Sequence, residues 1–239
     1  MLIHSRDTLS PFISSEIEKI LKRLLEHEPI QYIIGETRFH GMHLKVTPDV
    51  LIPRPETDEL VDLVIDEFQH RSDLKVLDIG TGSGCIAIAL ARNLKFSKVT
   101  AIDFSAKALK VARENAEALK TKITFIHADI NNWNSLTSYD IIISNPPYIE
   151  SREALEMEPN VLLYEPHCAL FVDDNNPLEL YLRIADISLY SLNPAGALYL
   201  EINPKHALNL KTLFTEKGFK AEVITDSFGK QRFLKCVKF

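Results

Sequence analysis

The run Val76-Leu77-Asp78-Ile79-Gly80-Thr81-Gly82-Ser83-Gly84-Cys85-Ile86-Ala87-Ile88-Ala89-Leu90 constrains this chain more than any other stretch. It reads as an apolar strand, a turn with three glycines and an Ala-rich apolar helix. Such a unit needs a sheet to lie in and a second layer to cover it, which points to an α/β protein. Glycines let the turn take positive φ and let a ligand approach the backbone, while the helix N-terminus behind it offers unpaired N–H groups. The spacing is G-x-G-x-G, so the dinucleotide fingerprint G-x-G-x-x-G is not met, and Cys85 stands where its third glycine belongs. No Gly-Lys-Ser/Thr follows, so a P-loop fails as well. The next strand, 98–102, ends in Asp103, about 20 residues past the loop, where an acid would hold two ribose hydroxyls. Adenosine without a pyrophosphate fits this pattern best. Asp103 has a second reading as a cap for the helix that starts near Ser105.

A second stretch, Asn145-Pro146-Pro147-Tyr148, follows the apolar run Ile141-Ile142-Ile143-Ser144, which reads as a buried strand. Prolines cannot continue a sheet ladder and they stiffen the backbone. The Asn amide and the neighbouring carbonyls are thereby held at the carboxyl end of the strand, where open α/β sheets bind ligands. An Asn side chain accepts through oxygen and donates through nitrogen, so beside a fixed carbonyl it can grip a planar NH2 group. The expected target is an amide or an exocyclic amine. Alone, the tetrapeptide also reads as a strand followed by a proline turn. Glycine loop, acid and NPPY in that order at one sheet edge favour a ligand site.

Along the chain, Ile17, Ile20, Leu21, Leu24 and Leu25 recur at helical spacing over 14–27. Residues 31–46 alternate in short segments broken by Gly35 and Gly41, which predicts a hairpin. A helix is predicted over 56–70. Strands over 75–79, 98–102, 123–126 and 139–144 then alternate with helices over 83–94 and 105–119. Helices over 177–192 and 204–217 and strands over 197–202, 220–225 and 232–237 complete the pattern. Such alternation implies a largely parallel, doubly wound sheet.

At 239 residues with 46% hydrophobic and 25% charged, the chain can bury a sizeable core, as one main α/β domain with a small appendage. No apolar run approaches the ~18 residues that span a bilayer, and Met1-Leu2-Ile3-His4-Ser5-Arg6 lacks the apolar core of a signal peptide. The expectation is a soluble, cytoplasmic protein with no membrane partner. Cys85, Cys168 and Cys236 cannot all pair and lack metal-ligand spacing, so no metal is expected, and Cys85 reads as a small residue facing the glycine loop. A net charge of −6 argues against a general nucleic-acid binder.

With these residues in place, the chain resembles the class I methyltransferases that use S-adenosyl-L-methionine, and more narrowly the HemK/PrmC family. Three stretches carry the narrower match: Glu28-Pro29-Ile30-Gln31-Tyr32-Ile33-Ile34-Gly35, Phe39-His40-Gly41, and Val50-Leu51-Ile52-Pro53-Arg54-Pro55-Glu56-Thr57-Asp58-Glu59-Leu60-Val61. They are similar to the family's link and the start of its catalytic domain, and Gly229-Lys230-Gln231-Arg232-Phe233 is similar to its closing hairpin. The resemblance runs from Leu21 to the C-terminus. It implies a seven-stranded, Rossmann-like methyltransferase sheet with an antiparallel closing hairpin, preceded by a short N-terminal helical piece and a linking β-hairpin. It divides the chain into a helical docking remnant over 1–28, a link over 29–52 and the methyltransferase domain over 53–239.

The resemblance further implies methyl transfer to the side-chain amide nitrogen (N5) of a protein glutamine, with S-adenosyl-L-homocysteine as product. The implied target is the Gly-Gly-Gln glutamine of class-1 peptide-chain release factors, with no direct nucleic-acid contact. Asn145 and Pro146 would hold the amide, Pro147 would stiffen the turn and Tyr148 would wall the pocket. Gly80, Thr81, Gly82, Ser83 and Gly84 would hold the methionine end, with Asn145 shared between cofactor and substrate. Asp103 would take the ribose and Asp129 would lie near the adenine. Ile130 follows Asp129 where many members carry an aromatic residue, and Trp133 is the alternative stacking candidate. Asp78 reads as a turn organiser. Arg54 and Glu56 read either as pocket-shaping residues or as a surface ion pair at a helix start. His40, His43 and His127 read as surface residues.

Two departures from the family stand out. Residues 171–177 read Phe-Val-Asp-Asp-Asn-Asn-Pro where the family has a glycine-bearing loop, and only about 28 residues precede the link, fewer than a docking domain of several helices needs. Four alternatives share parts of the pattern. An adenine-N6 methyltransferase needs a basic groove and base flipping, and no lysine-rich tract supplies one. A ribosomal-protein glutamine methyltransferase shares the pocket and differs in docking surface. A non-catalytic binder of S-adenosyl-L-methionine suits a broken NPPY, which is intact here. A nicotinamide oxidoreductase is disfavoured by Cys85 and by NPPY.

Overall fold

In the computed structural model, which describes residues 10–238, helix α1 (Pro11–Leu25) starts where the sequence supplies a cap. The Ser10 hydroxyl accepts from Ile13 N at 3.3 Å, and Pro11 sits at the first turn, where a missing N–H removes no helical bond. No residue of α1 is buried. Residues 1–9 of the expected docking remnant, and Phe239, lie outside the described residues.

Where the alternation predicted a strand from Gln31, a single helical turn stands instead, α2 (Ile30–Ile34). Pro29 supplies the pre-set φ in front of it, and Tyr32 turns inward to donate to Val50 O at 2.6 Å. The hairpin follows as β1 (Glu36–Phe39) and β2 (Met42–Lys45), paired antiparallel with Phe39 opposite Met42. Helix α3 (Pro55–Phe68) then buries Leu60, Val61, Val64 and Phe68 along one face.

The main body alternates: β3 (Lys75–Ile79), α4 (Cys85–Asn93), β4 (Lys98–Asp103), α5 (Ala106–Ala118), β5 (Ile123–His127) and β6 (Tyr139–Ser144). Beyond the NPPY turn come β7 (Ile149–Glu150), α6 (Pro159–Tyr164) and β8 (Phe171–Val172), then α7 (Glu179–Ser191), β9 (Leu192–Glu201), α8 (Ala207–Glu216), β10 (Phe219–Thr225) and β11 (Gln231–Lys238). Seven strands form one sheet in the order β10-β11-β9-β6-β3-β4-β5, with β11 antiparallel to both neighbours and the other pairings parallel. The expected doubly wound sheet and closing hairpin are both present.

Because successive strand residues point to opposite faces, the sheet feeds two cores. Val76, Ile141, Ile143 and Tyr199 pack with α3 and α4 on one side. Leu77, Ile142, Leu198 and Leu200 pack with α7 and α8 on the other. A third cluster joins Tyr32, Val46, Val50 and Ile52 of the link to Ala108 and Val111 of α5. Asn115 of α5 completes that joint, accepting from Lys45 N at 2.7 Å and donating to the carbonyls of Lys45 (3.0 Å) and Ser83 (2.9 Å).

Residues 151–177 carry structure that periodicity did not announce: a 3-10 turn over Ser151–Glu156, α6, and the two-residue parallel pair β7–β8. In the Asp-Asp-Asn-Asn stretch, Asp173 accepts from Asn175 N at 2.9 Å and Asp174 from Ser151 N at 2.5 Å, so acids organise the loop where the family has glycine. Among the described residues no helix is long and apolar enough to cross a membrane.

Gly84 shows how tightly the glycine turn is set against α5. Its φ is +83°, and a Cβ there would lie 3.1 Å from Ala112 Cβ and 3.2 Å from Ile88 Cδ1. Left-handed backbone strain and overpacking add, so Gly84→Ala is expected to destabilise the fold by about 2–4 kcal/mol. Urea unfolding followed by circular dichroism measures this, and an unchanged midpoint would show that α5 yields at no cost.

Candidate active site

Strand order reverses at β3, which has β4 on one side and β6 on the other, and a crevice opens there at the carboxyl ends. It holds a cavity of ≈ 450 Å³, lined among others by Gly80, Gly82, Asp103, Asp129, Ile130, Asn145, Pro146 and Pro147. This volume lies within the range of small-molecule sites.

The glycine turn is built from behind. Ile102 O accepts from both Gly80 N (2.9 Å) and Thr81 N (3.0 Å), tying the turn to β4. The Thr81 hydroxyl donates to Asp78 at 2.6 Å, and burial pushes the Asp78 carboxyl up to about 7. Asp78 thus organises the turn. Thr81 and Ser83 are buried, and with Gly84 they stand behind the cavity wall; Gly80 and Gly82 face it. At Gly82 nothing lies within 4 Å of where a Cβ would stand, so a ligand can approach the main chain.

Asp103 has a fixed plane. One oxygen accepts from Gly82 N at 2.9 Å and the other from Ser105 N at 2.8 Å, and burial pushes its carboxyl upward. Each oxygen retains a lone pair for a further donor. The helix cap is instead Ser105, whose hydroxyl accepts from Ala108 N at 3.1 Å. Asp129 is exposed, and its carboxylate accepts from Asn131 N at 2.9 Å. Ile130 is half-buried on the cavity wall, whereas Trp133 packs against the second core and does not line the cavity. Arg183 of α7, which sequence reasoning passed over, clamps this loop by donating to Ile130 O at 2.7 Å and Trp133 O at 2.5 Å.

Asn145 leaves β6 with its Nδ2 3.0 Å from Thr57 Oγ1, and the Thr57 hydroxyl donates to Glu201 Oε2 at 2.7 Å. Tyr148 donates to the other oxygen, Glu201 Oε1, at 2.9 Å. Its ring packs against the second core and does not line the cavity, in contrast to the wall role expected from the resemblance. Burial holds the Tyr148 hydroxyl and the Glu201 carboxyl above their ordinary values. Neither Thr57 nor Glu201 was a candidate from sequence. Thr57 sits inside the recognised Pro-Arg-Pro-Glu-Thr stretch, and a glutamate ending an otherwise apolar strand, Ala-Leu-Tyr-Leu-Glu, was the available signal for Glu201.

The surface pair between Arg54 and Glu56 does not form. Arg54 Nη2 reaches Glu165 Oε1 at 2.5 Å, and Ile52 N donates to Glu165 Oε2 at 3.1 Å, because the buried Glu165 carboxylate needs both partners. His40 binds Asp58 at 2.7 Å, His43 faces Glu36 and His127 meets Phe104 O, and none lines this cavity.

Solved structures share this architecture. A methyltransferase of Pyrococcus furiosus superposes with a TM-score of 0.59 at 19% identity over 92% of this chain and 98% of its own. The 16S rRNA N2 G1207 methyltransferase of T. thermophilus does so with 0.64 at 19% identity, over 85% of this chain and 50% of its own. The fold is that of a class I methyltransferase. Residues 48–162 match the family model of the methyltransferase small domain, and residues 1–35 that of the PrmC N-terminal domain. A release factor glutamine methyltransferase of Bacteroides thetaiotaomicron is 48% identical over 95% of this chain and 82% of its own length, and one of Flavobacterium psychrophilum is 46% identical over 91% and 78%. The chain belongs to the release factor glutamine methyltransferase family.

Cys168 is exposed and lines the cavity, whereas Cys85 and Cys236 are buried, and burial pushes the Cys85 thiol up to about 12. Iodoacetamide at neutral pH is therefore expected to modify Cys168 and spare the other two. Peptide mass mapping reads this out, and label on Cys85 in folded protein would contradict the packing described.

Proposed function

We propose that this methyltransferase moves the methyl group of S-adenosyl-L-methionine to the N5 amide nitrogen of the Gly-Gly-Gln glutamine in class-1 peptide-chain release factors. The observation that carries the reading is the meeting, in one crevice, of an Asn-Pro acceptor pair with a glycine turn and a backbone-fixed aspartate. Relatives at 48% and 46% identity bear the corresponding name.

The cavity residues suit the cofactor. Gly80 and Gly82 admit close approach, Asp103 offers lone pairs suited to two ribose hydroxyls, and no Gly-Lys-Ser/Thr cradle for a pyrophosphate is present. Asp129 and Ile130 would border the adenine. Bound there, S-adenosyl-L-methionine supplies a sulfonium methyl whose transfer to nitrogen leaves a neutral thioether, with one amide proton passing to solvent. The residues supply position and electrostatics, because an amide nitrogen is a poor nucleophile with a delocalised lone pair. Asn145 Oδ1 and the Pro146 carbonyl would accept the two N–H groups and hold the nitrogen toward the methyl. Pro146 has no N–H to compete for those acceptors, and Pro147 fixes its own φ and restricts Pro146 before it to extended backbone. No general base is assigned. We further propose the division into a docking piece (1–28), a link (29–52) and a catalytic domain (53–239).

Methyl transfer from labelled S-adenosyl-L-methionine to a purified class-1 release factor tests this directly, with the Gly-Gly-Gln glutamine changed to alanine as control and DNA as a parallel substrate. Label that vanishes in the control is expected, and label on DNA alone would overturn the reading in favour of an adenine-N6 enzyme. In the same assay, Asn145→Ala is expected to lower kcat by about 100-fold or more, the scale for losing a positioning acceptor. Calorimetry should find S-adenosyl-L-homocysteine affinity within about threefold of wild type, since Asn145 makes only part of that site. Equal loss of both would return Asn145 to a structural role.

A further inference from the structure

An asparagine amide has two faces of nearly equal shape. Rotation by half a turn exchanges Oδ1 for Nδ2 and offers a donor to the N–H groups that have to be held. Nothing in Asn145 itself selects between the two. We infer that Thr57 and Glu201 are positioning residues that fix the polarity of Asn145, so that Oδ1 and not Nδ2 faces the substrate amide. The inference deepens the reading of Asn145 as the amide anchor and rests on it for its catalytic consequence.

The selection follows from counting protons along a chain of three side chains. Glu201 is 1% exposed and Thr57 3%, so no water competes at either group. A carboxylate only accepts, and Thr57 has one hydroxyl proton. At 2.7 Å that proton belongs to Glu201 Oε2, which leaves the Thr57 oxygen as an acceptor and nothing else. The atom of Asn145 that lies 3.0 Å away must therefore be the donor, Nδ2. The reverse rotamer would set two acceptors against each other with no proton between them, in a place closed to solvent. Glu201 is kept as the receiving end by its other partners. Tyr148 donates to Oε1 at 2.9 Å; burial raises the Glu201 carboxyl, and the donors Thr57 and Tyr148 together with the Arg232 guanidinium oppose that by favouring the negative charge. Tyr181 meanwhile donates to the backbone carbonyl of Glu201 at 3.2 Å, fixing the strand end that carries the carboxylate.

This role is separable from packing. Thr57→Val keeps the volume and removes the relay, Thr57→Ser keeps the hydroxyl and sheds a methyl, and Glu201→Gln keeps the shape while adding a donor that allows the relay to run backwards. Expected is a fall in kcat of about 10- to 100-fold for Thr57→Val and Glu201→Gln, with KM for S-adenosyl-L-methionine unchanged and Thr57→Ser close to wild type. The side-chain NH2 pair of Asn145, assigned in ¹⁵N NMR spectra of the free protein by its loss in Asn145→Ala, supplies a second readout that needs no substrate. It should be protected from solvent exchange in wild type and Thr57→Ser and exposed in Thr57→Val. Equal damage by Ser and Val, or an NH2 pair unaltered in Thr57→Val, would overturn the inference. Should the wild type label no release factor, the substrate reading has failed, and the NMR comparison still decides the polarity of Asn145 by the same two outcomes.

Discussion

The parallel pairing of β3 with β4 on one flank and β6 on the other is the constraint from which the site follows. A parallel ladder brings the carboxyl ends of neighbouring strands to one edge. The glycine turn after Ile79, Asp103 at the end of β4 and Asn145 after Ser144 emerge side by side for that reason alone. The register tightens this further. Ile79 is level with Ile102 and Ser144, and the Ser144 hydroxyl donates to Ile79 O at 2.7 Å, so the two chemistry-bearing turns share a hydrogen bond at their roots.

Buried carboxylates then hold the site together, one within the glycine turn and two between segments distant in sequence. Asp78 receives the Thr81 hydroxyl, Glu165 receives Arg54 and Ile52 N across more than 100 residues, and Glu201 receives Thr57 and Tyr148. Each acid is almost wholly removed from water; Glu165 and Glu201 have a donor on each oxygen, whereas Oδ1 of Asp78 has no hydrogen-bond partner among the described residues and burial raises that carboxyl. A further buried acid ties residues 150–177, which have little apolar periodicity of their own, to the body of the protein. Glu150, fully buried, gathers Arg152, Lys205 and His206, and these donors hold its carboxyl down at about 2.

The seven strands and the crevice were legible because each rests on a local signal: apolar runs of strand length, glycine spacing, an acid at a strand end and paired prolines. Gly80, Gly82, Asp103, Asn145, Pro146 and Pro147 all line one cavity, as the order of motifs suggested, and Asp129 and Ile130, which only the family resemblance singled out, line it too. What stayed hidden was pairwise and long-range. Nothing local to Thr57 says that its partner is residue 201, and nothing local to Tyr148 says that its hydroxyl turns inward to Glu201. The turn at Ile30–Ile34 was lost to a competing principle, since five apolar-rich residues carry no period long enough to tell helix from strand.

Asn115 has a consequence for how the N-terminal piece can act. One side chain pins the end of the hairpin at Lys45 and the glycine turn at Ser83 to helix α5, and Tyr32 is staked to Val50. From Tyr32 onward the link is therefore a fixed bracket on the cavity, not a swinging arm. The C-cap of α1 is fastened as well, since Glu26 O accepts from the Tyr164 hydroxyl of α6 at 2.7 Å, so hairpin, helix end and glycine turn would loosen together or not at all.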